Sequence, residues 1–315
     1  MTEMTTTAEP PKTRRGIPDF MARLVREKPL GLIGGLIVLV MLIVAIFADF
    51  IAPYGYEDIH LADRLHPPSA QYIMGADQTG RDFFSRIIYG ARISMYVGLG
   101  ASAINVIFSL VVGLLSGYFG GVTDIVIQRF VDAALTFPML IIVITLMNLI
   151  GSGLIQVIIV LGIWGGIGWI RVVRSAVISI RVNVYLDAAR AIGASNFRII
   201  LRHILPNIFS IFIIIFSVSM AGNILGEASL SFLGFGIPPP YPSWGGMLSN
   251  EGSRYMMEAP WLAIWPGVAL SIAVYGINMW GDAVRDLLDP RLRGGVGRYS
   301  GVGKKLKKIK AKTTK

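Results

Sequence analysis

The sequence predicts an all-α polytopic membrane protein with six transmembrane helices and both termini cytoplasmic. Three observations carry that expectation. The chain is 54% hydrophobic and only 15% charged, with mean hydropathy +0.63, whereas soluble domains hold about 25% charged residues. Uncharged runs of the roughly 20 residues needed to cross a hydrocarbon core recur along it. Lipid cannot satisfy backbone polar groups, which favours helices for those runs. With the N-terminus inside, 24 of the 29 Lys and Arg residues fall in cytoplasmic segments, the asymmetry that sets orientation.

In chain order, residues 1–29 form a polar cytoplasmic tail. The first apolar run, 30–48, predicts a helix over 30–51. It is longer than the 7–15 residue core of a cleavable signal and reads as an uncleaved anchor. Residues 52–92 form a long extracytoplasmic loop. The second run is 93–123. The third, 133–170, is too long for one span, and Gly151, Ser152 and Gly153 supply a turn that divides it. Residues 171–206 form a long cytoplasmic loop. The fifth run, 204–226, leads into an outer segment, 227–258, rich in proline. The sixth run, 259–281, starts with Trp261 and Trp265, where an interfacial aromatic belt belongs. Five helices over 93–290 form the core, and 291–315 is a basic cytoplasmic tail.

That tail holds seven lysines and accounts for much of the +10 net charge. Attraction to anionic membrane lipid or plain solvation explains it, and no nucleic-acid module accompanies it. Cysteine is absent, which excludes disulfides and thiolate metal sites. His60, His66 and His203 have no metal-ligand spacing, so no metal is expected.

The loop 171–206 carries the most specific signal. Residues 184–191 are alanine-rich and predict a short helix, which Gly193 stops as a left-handed C-cap. Ser195 or Asn196 caps a second short helix. Pro206 interrupts it and starts the next span. The product is a helix–turn–helix projecting from the membrane.

These residues resemble the EAA loop of binding-protein-dependent ABC importer permeases: E-A-A, three residues, G, nine residues, I, one residue, L-P. Asp187, Ala188, Ala189, Gly193, Leu205 and Pro206 match at that spacing, with Asp187 in place of Glu and His203 in place of Ile. Residues 74–94, 226–234, 242–245 and 289–293 are similar to strings of the C-type permeases of the dipeptide, oligopeptide and nickel importers. The resemblance implies a type I ABC importer permease fold. It also implies a homologous second permease, two cytoplasmic ATPase subunits and an extracytoplasmic binding protein as partners. By that resemblance, Asp187, Ala188, Ala189 and Gly193 form the coupling surface, and Leu205 and Pro206 fix its connection to the fifth span. The chain itself is expected to be non-catalytic and to bind no cofactor. It has no P-loop: Arg298 stands where the first glycine before Gly303-Lys304 is required. ATP is expected to be used by the partner subunits. Peptides, nickel complexes and glutathione-like solutes all remain open as cargo.

Smaller signals have two readings each. Asn105, Asn148, Gln156 and Asn223 either line a solute path or bond to neighbouring helices. Glycine pairs 31/35, 113/117, 162/166 and 222/226 permit close helix contact, chiefly within the chain. Asp132 is either a functional acid within the membrane or the partner of Arg129 on its own helix, the simpler account, and Pro138 can kink the third span. Glu227 and Ser229 stand at the outer end of the fifth span, where a gate or docking surface is plausible. A stand-alone secondary transporter or channel is the competing class, and it needs ionisable groups deep in the bundle. An intramembrane enzyme needs a nucleophile and base within the spans, which the sequence lacks.

Overall fold

The computed structural model describes residues 17–288. The basic tail and the string at 289–293 lie outside them, as do residues 1–16. Among the described residues the fold is helical without strands. It comprises α1 (Ile17–Glu27), α2 (Pro29–Ile46), α3 (Ala48–Ile51), α4 (Phe83–Phe119), α5 (Gly121–Thr136), α6 (Met139–Ile150) and α7 (Leu154–Arg181). After these come α8 (Val184–Ala191), α9 (Asn196–Ile199), α10 (Leu205–Phe232), α11 (Trp244–Met247), α12 (Ser253–Tyr255) and α13 (Trp261–Leu288).

Five helical stretches are long and apolar enough to cross a membrane, and a sixth crossing exists only if α5 and α6 count as one broken span. The two are bent by 93° at Phe137 and Pro138. Proline lacks the N–H that would continue the ladder, and it drives the preceding residue out of helical space. Phe137 is accordingly extended, at φ −87° and ψ 138°. The kink expected at Pro138 is thus a sharp corner.

The second helix also departs from expectation. It begins at Phe83 rather than 93 and runs 37 residues, about 55 Å at 1.5 Å per residue. That exceeds the roughly 30 Å hydrocarbon core, so its first turns stand outside it. Asp82 caps it, its carboxylate accepting from the Ser85 amide at 2.7 Å. Charge hid this start, because Arg86 and Arg92 interrupt the apolar run. Both are neutralised: Arg86 by Glu251 at 3.1 Å, Arg92 by Asp49 at 2.9 Å.

In lipid, helices associate through close packing and hydrogen bonds rather than through hydrophobic exclusion. Glycines set the approach of α4 to α7. A Cβ at Gly113 would lie 2.7 Å from Val173, and one at Gly162 2.6 Å from Ile104. Gly31 and Gly34 do the same between α2 and α13: a Cβ at Gly34 would lie 2.5 Å from the Gly276 carbonyl oxygen. The glycine pairs thus serve packing within the chain. Gly222 is the exception, with nothing within 4 Å.

One end of the bundle carries the α8–α9 elbow. On the opposite face, residues 52–82 and 233–260 form a cap. Asp77 and Arg81 pair at 2.6 Å, and Arg81 and Arg86 both reach the buried Glu251. Burial pushes the Glu251 carboxyl up, and the neighbouring Arg86 opposes that. Trp244 donates to the Ile87 carbonyl at 3.2 Å, and Trp261 to that of Ala76 at 3.4 Å. The network pins α11 to the start of α4, and the start of α13 to the segment just before it. Both described ends of the chain lie on the elbow face. Lys28 pairs with Asp286 at 2.5 Å, and Gly281 of α13 abuts Ser217 in the elbow-side half of antiparallel α10.

Gly34→Leu is expected to push α2 off α13, with an overpacking cost of about 1–3 kcal/mol. Thermal melting of detergent-purified protein should fall for that variant and stay unchanged for Gly222→Leu, whose position is open.

Candidate functional site

The elbow is built from local signals. α8 covers residues 184–191 and ends at Gly193, whose φ of +82° is a left-handed conformation that glycine adopts without steric cost. The amide of Ala194 reaches back to the Ala189 carbonyl at 3.0 Å, closing the turn. Ser195 caps α9, its hydroxyl accepting from the Arg198 amide at 3.4 Å.

From Asn196 the backbone stays helical through Phe232, so Pro206 does not break it. A single wide turn, Ile200–Ile204, precedes Pro206. Such a π-turn absorbs the missing proline donor by shifting the hydrogen-bond register. The sequence predicts an interruption here; the structure shows a continuous lever from elbow to bundle.

The elbow has an apolar underside and an apolar outside. Leu186, Ile199 and Ile204 have no exposed surface. They pack with Leu114 and Tyr118 of α4, Val173 and Val177 of α7, and Ile208 of α10. The Tyr118 hydroxyl donates to the Asn196 side-chain oxygen at 2.7 Å. The outside presents Val184, Ile192 and Phe197, between 72% and 86% exposed. Asp187 and Ala188 are exposed, and Asp187 holds Arg190 at 2.7 Å. Ala189 is buried on the underside. Gly193 is exposed, Leu205 half-buried and Pro206 exposed.

Beside the elbow, α5 is fastened to α7 by two ion pairs. Asp124 accepts two hydrogen bonds from Arg174, both at 2.6 Å, and a third from Ser116. Asp132 pairs with Arg171, while Arg129 stays 4.0 Å away. The expected Arg129–Asp132 pair is therefore secondary. A partner 39 residues off is invisible to helical spacing.

The four amides separate into three environments. Asn105 and Asn223 are buried together. Asn223 donates to Asn105 at 2.9 Å and to Ser102 at 3.0 Å, and Asn105 donates to the Gly162 carbonyl at 2.5 Å. They join α4, α7 and α10. Asn148 is exposed and donates to the Ile144 carbonyl of its own helix. Gln156 borders a cavity of about 480 Å³ on the face opposite the elbow, shared with Tyr56, Tyr89, Tyr241 and Arg92. Glu227 is wholly buried and accepts from Ser231 at 2.6 Å, so it is not on a surface that could gate or dock. Ser229 borders a hollow between α10 and α13. Among the described residues no His, Asp and Glu group has the arrangement to hold a metal.

Residues 109–294 match the family model described as binding-protein-dependent transport system inner membrane component. Residues 19–68 match the N-terminal TM domain of oligopeptide transport permease C. A glutathione transport system permease protein, GsiD, of Pectobacterium atrosepticum is 37% identical, over 87% of this chain and 91% of its own length. A dipeptide transport system permease protein, DppC, of Alkalihalophilus pseudofirmus is 38% identical, over 85% and 88%. Among solved structures, an inward-facing MetNI methionine ABC transporter aligns with TM-score 0.50 and 18% identity, over 65% of this chain and 96% of that one. That likeness concerns the fold.

Leu186→Ala is expected to cost about 2–5 kcal/mol of local stability by opening a cavity under α8. Limited proteolysis should then cut the elbow faster. Ile192→Ala, at an exposed site, should leave the cleavage rate unchanged.

Proposed function

The chain belongs to the family of binding-protein-dependent transport system inner membrane components, and from that premise we propose that its α8–α9 elbow is the site where separate ATPase subunits dock and drive it. As a member of that family it is a non-catalytic, C-type permease subunit of a peptide-class ABC importer.

The reading assigns Asp187, Ala188, Ala189 and Gly193 to the coupling surface, with Leu205 and Pro206 joining it to the bundle. One observation carries it: the elbow buries Leu186 and Ile199 against its own helices while Val184, Ile192 and Phe197 stay exposed. A projection rigidly seated on one side and apolar on the other suits a cleft in another protein. The continuous helix from Asn196 to Phe232 then carries any displacement of the elbow into α10.

On the same reading the elbow face is cytoplasmic. The excess of Lys and Arg on that face supports this, as does the position of both described ends beside it. The chain then crosses six times, with α5 and α6 as one bent crossing and both termini inside. Residues 1–29 and 291–315 are cytoplasmic tails, 30–51 the first helix, 52–92 mainly extracytoplasmic, and 93–290 the permease core with its loop 171–206. A homologous second permease completes the path, two ATPase subunits supply the work, and a binding protein delivers solute to the cap formed by residues 52–82 and 233–260. The relatives named for glutathione and dipeptide transport favour a short peptide or peptide-like solute.

Ile192→Asp combined with Phe197→Asp would bury unpaired carboxylates at the docking surface. ATPase co-purification should weaken by at least about a hundredfold, given several kcal/mol per unpaired buried charge. ATP-driven uptake should be lost while membrane insertion persists. Normal uptake with the ATPase still attached would refute the docking assignment.

A further inference from the structure

We infer that Ser271, Tyr275, Asn278 and Asp282 of α13 line the route of the solute through this subunit. The inference rests on the importer reading and names the path that reading left open. The four residues recur at intervals of three and four, so they share one face of the helix. All four are exposed. Towards the cap the same face continues as Val268 and Ile264, with Ile272 beside it, all exposed and apolar, so its polar part is the elbow-side half; the opposite side of α13 is covered. Ala283 and Gly276 face α2, Gly281 faces α10, and Ala273 and Ile277 lie in the core.

The other outward faces of the bundle set the comparison. α2 presents Leu36, Val40 and Ile43, and α4 presents Ile107, Val111 and Leu115. Those stripes are wholly apolar, as contact with acyl chains requires. Thr145 and Asn148 of α6 are exposed too, but each bonds a carbonyl of its own helix. Ser271 does likewise, donating to Gly267 at 2.7 Å. The Asn278 amide and the Asp282 carboxylate have no hydrogen-bond or ion-pair partner among the described residues. Asn278 lies within the apolar run 259–281, one turn before Asp282. An unpartnered amide is costly in hydrocarbon and ordinary in water.

A hollow of about 300 Å³ lies next to this stripe, between α10 and α13, lined by Leu225, Ser229, Phe232, Leu248 and Leu270. Asp282, near the elbow end, places a carboxylate where a solute would leave. An amide and hydroxyls followed by a carboxylate fit a hydrated solute with a protonated amine, as a peptide has.

The absence of native cysteine makes the test direct. Single cysteines are placed at Tyr275 and Asn278, with Leu36→Cys and Val111→Cys as lipid-facing controls. Each is assembled with the second permease and the ATPases and exposed to a charged methanethiosulfonate. Thiolate reacts, and thiolate does not form in hydrocarbon, so labelling at 275 and 278 should exceed the controls by at least about tenfold. Labelling at control rates, or disulfide capture of these positions by the second permease, overturns the inference. Wild-type uptake of glutathione and of alanyl-alanine is measured in parallel. Its failure would count against the importer reading, whereas the labelling decides the stripe regardless. For whichever solute is taken up, Asn278→Leu should lower uptake with ATPase attachment intact, and Asn278→Gln should restore most of it. Unchanged uptake in Asn278→Leu would also overturn the inference.

Discussion

The burial of Leu186 and Ile199 against the ends of α4 and α7 is the contact on which the rest depends. A short helix of eight residues has no stability of its own in water. α8 exists as a fixed object because its underside completes the core of the bundle. The Tyr118–Asn196 hydrogen bond fixes the second arm of the elbow to the same helix end. Two further pairs, Asp124–Arg174 and Asp132–Arg171, hold α5 against α7 nearby. The elbow is therefore part of the permease body rather than a tether hanging from it.

Rigidity at the elbow would be useless if the connection to the spans were slack. The π-turn at Ile200–Ile204 supplies continuity where proline would otherwise break the helix. Further in, the amides of Asn105 and Asn223 cross-link α4, α7 and α10 within a region where water is scarce. A displacement of α8, if imposed, would thus reach three helices together. The ion network of Asp77, Arg81, Arg86 and Glu251 performs a similar service at the far end, tying the cap to the first turns of α4.

Features that depend on near neighbours in the chain were legible in the sequence. The helix at 184–191, the left-handed Gly193, the Ser195 cap and the turn at 151–153 all belong to that class. Composition was equally informative about the helical, membrane-embedded class of the fold. Tertiary features were not legible. Helical spacing proposed Arg129 for Asp132, whereas Arg171 arrives from another helix. The start of α4 was hidden because buried partners from distant segments neutralise its arginines. Pro138 was read as a possible kink, and its size depended on packing that no local pattern encodes. For Asn105 and Asn223 the sequence left solute path and helix–helix bonding equally open, because a polar group in an apolar run has the same signature whether it meets solute or another amide.

Spin labels at Arg198→Cys in the elbow and Ile178→Cys on α7 test the rigid seating most directly, in the fully assembled transporter. Their separation, measured by pulsed dipolar spectroscopy, should stay constant between nucleotide-free and ATP-bound states while uptake proceeds. A shift in that separation on ATP binding would contradict the account, because the elbow would then be moving against its own bundle instead of carrying it.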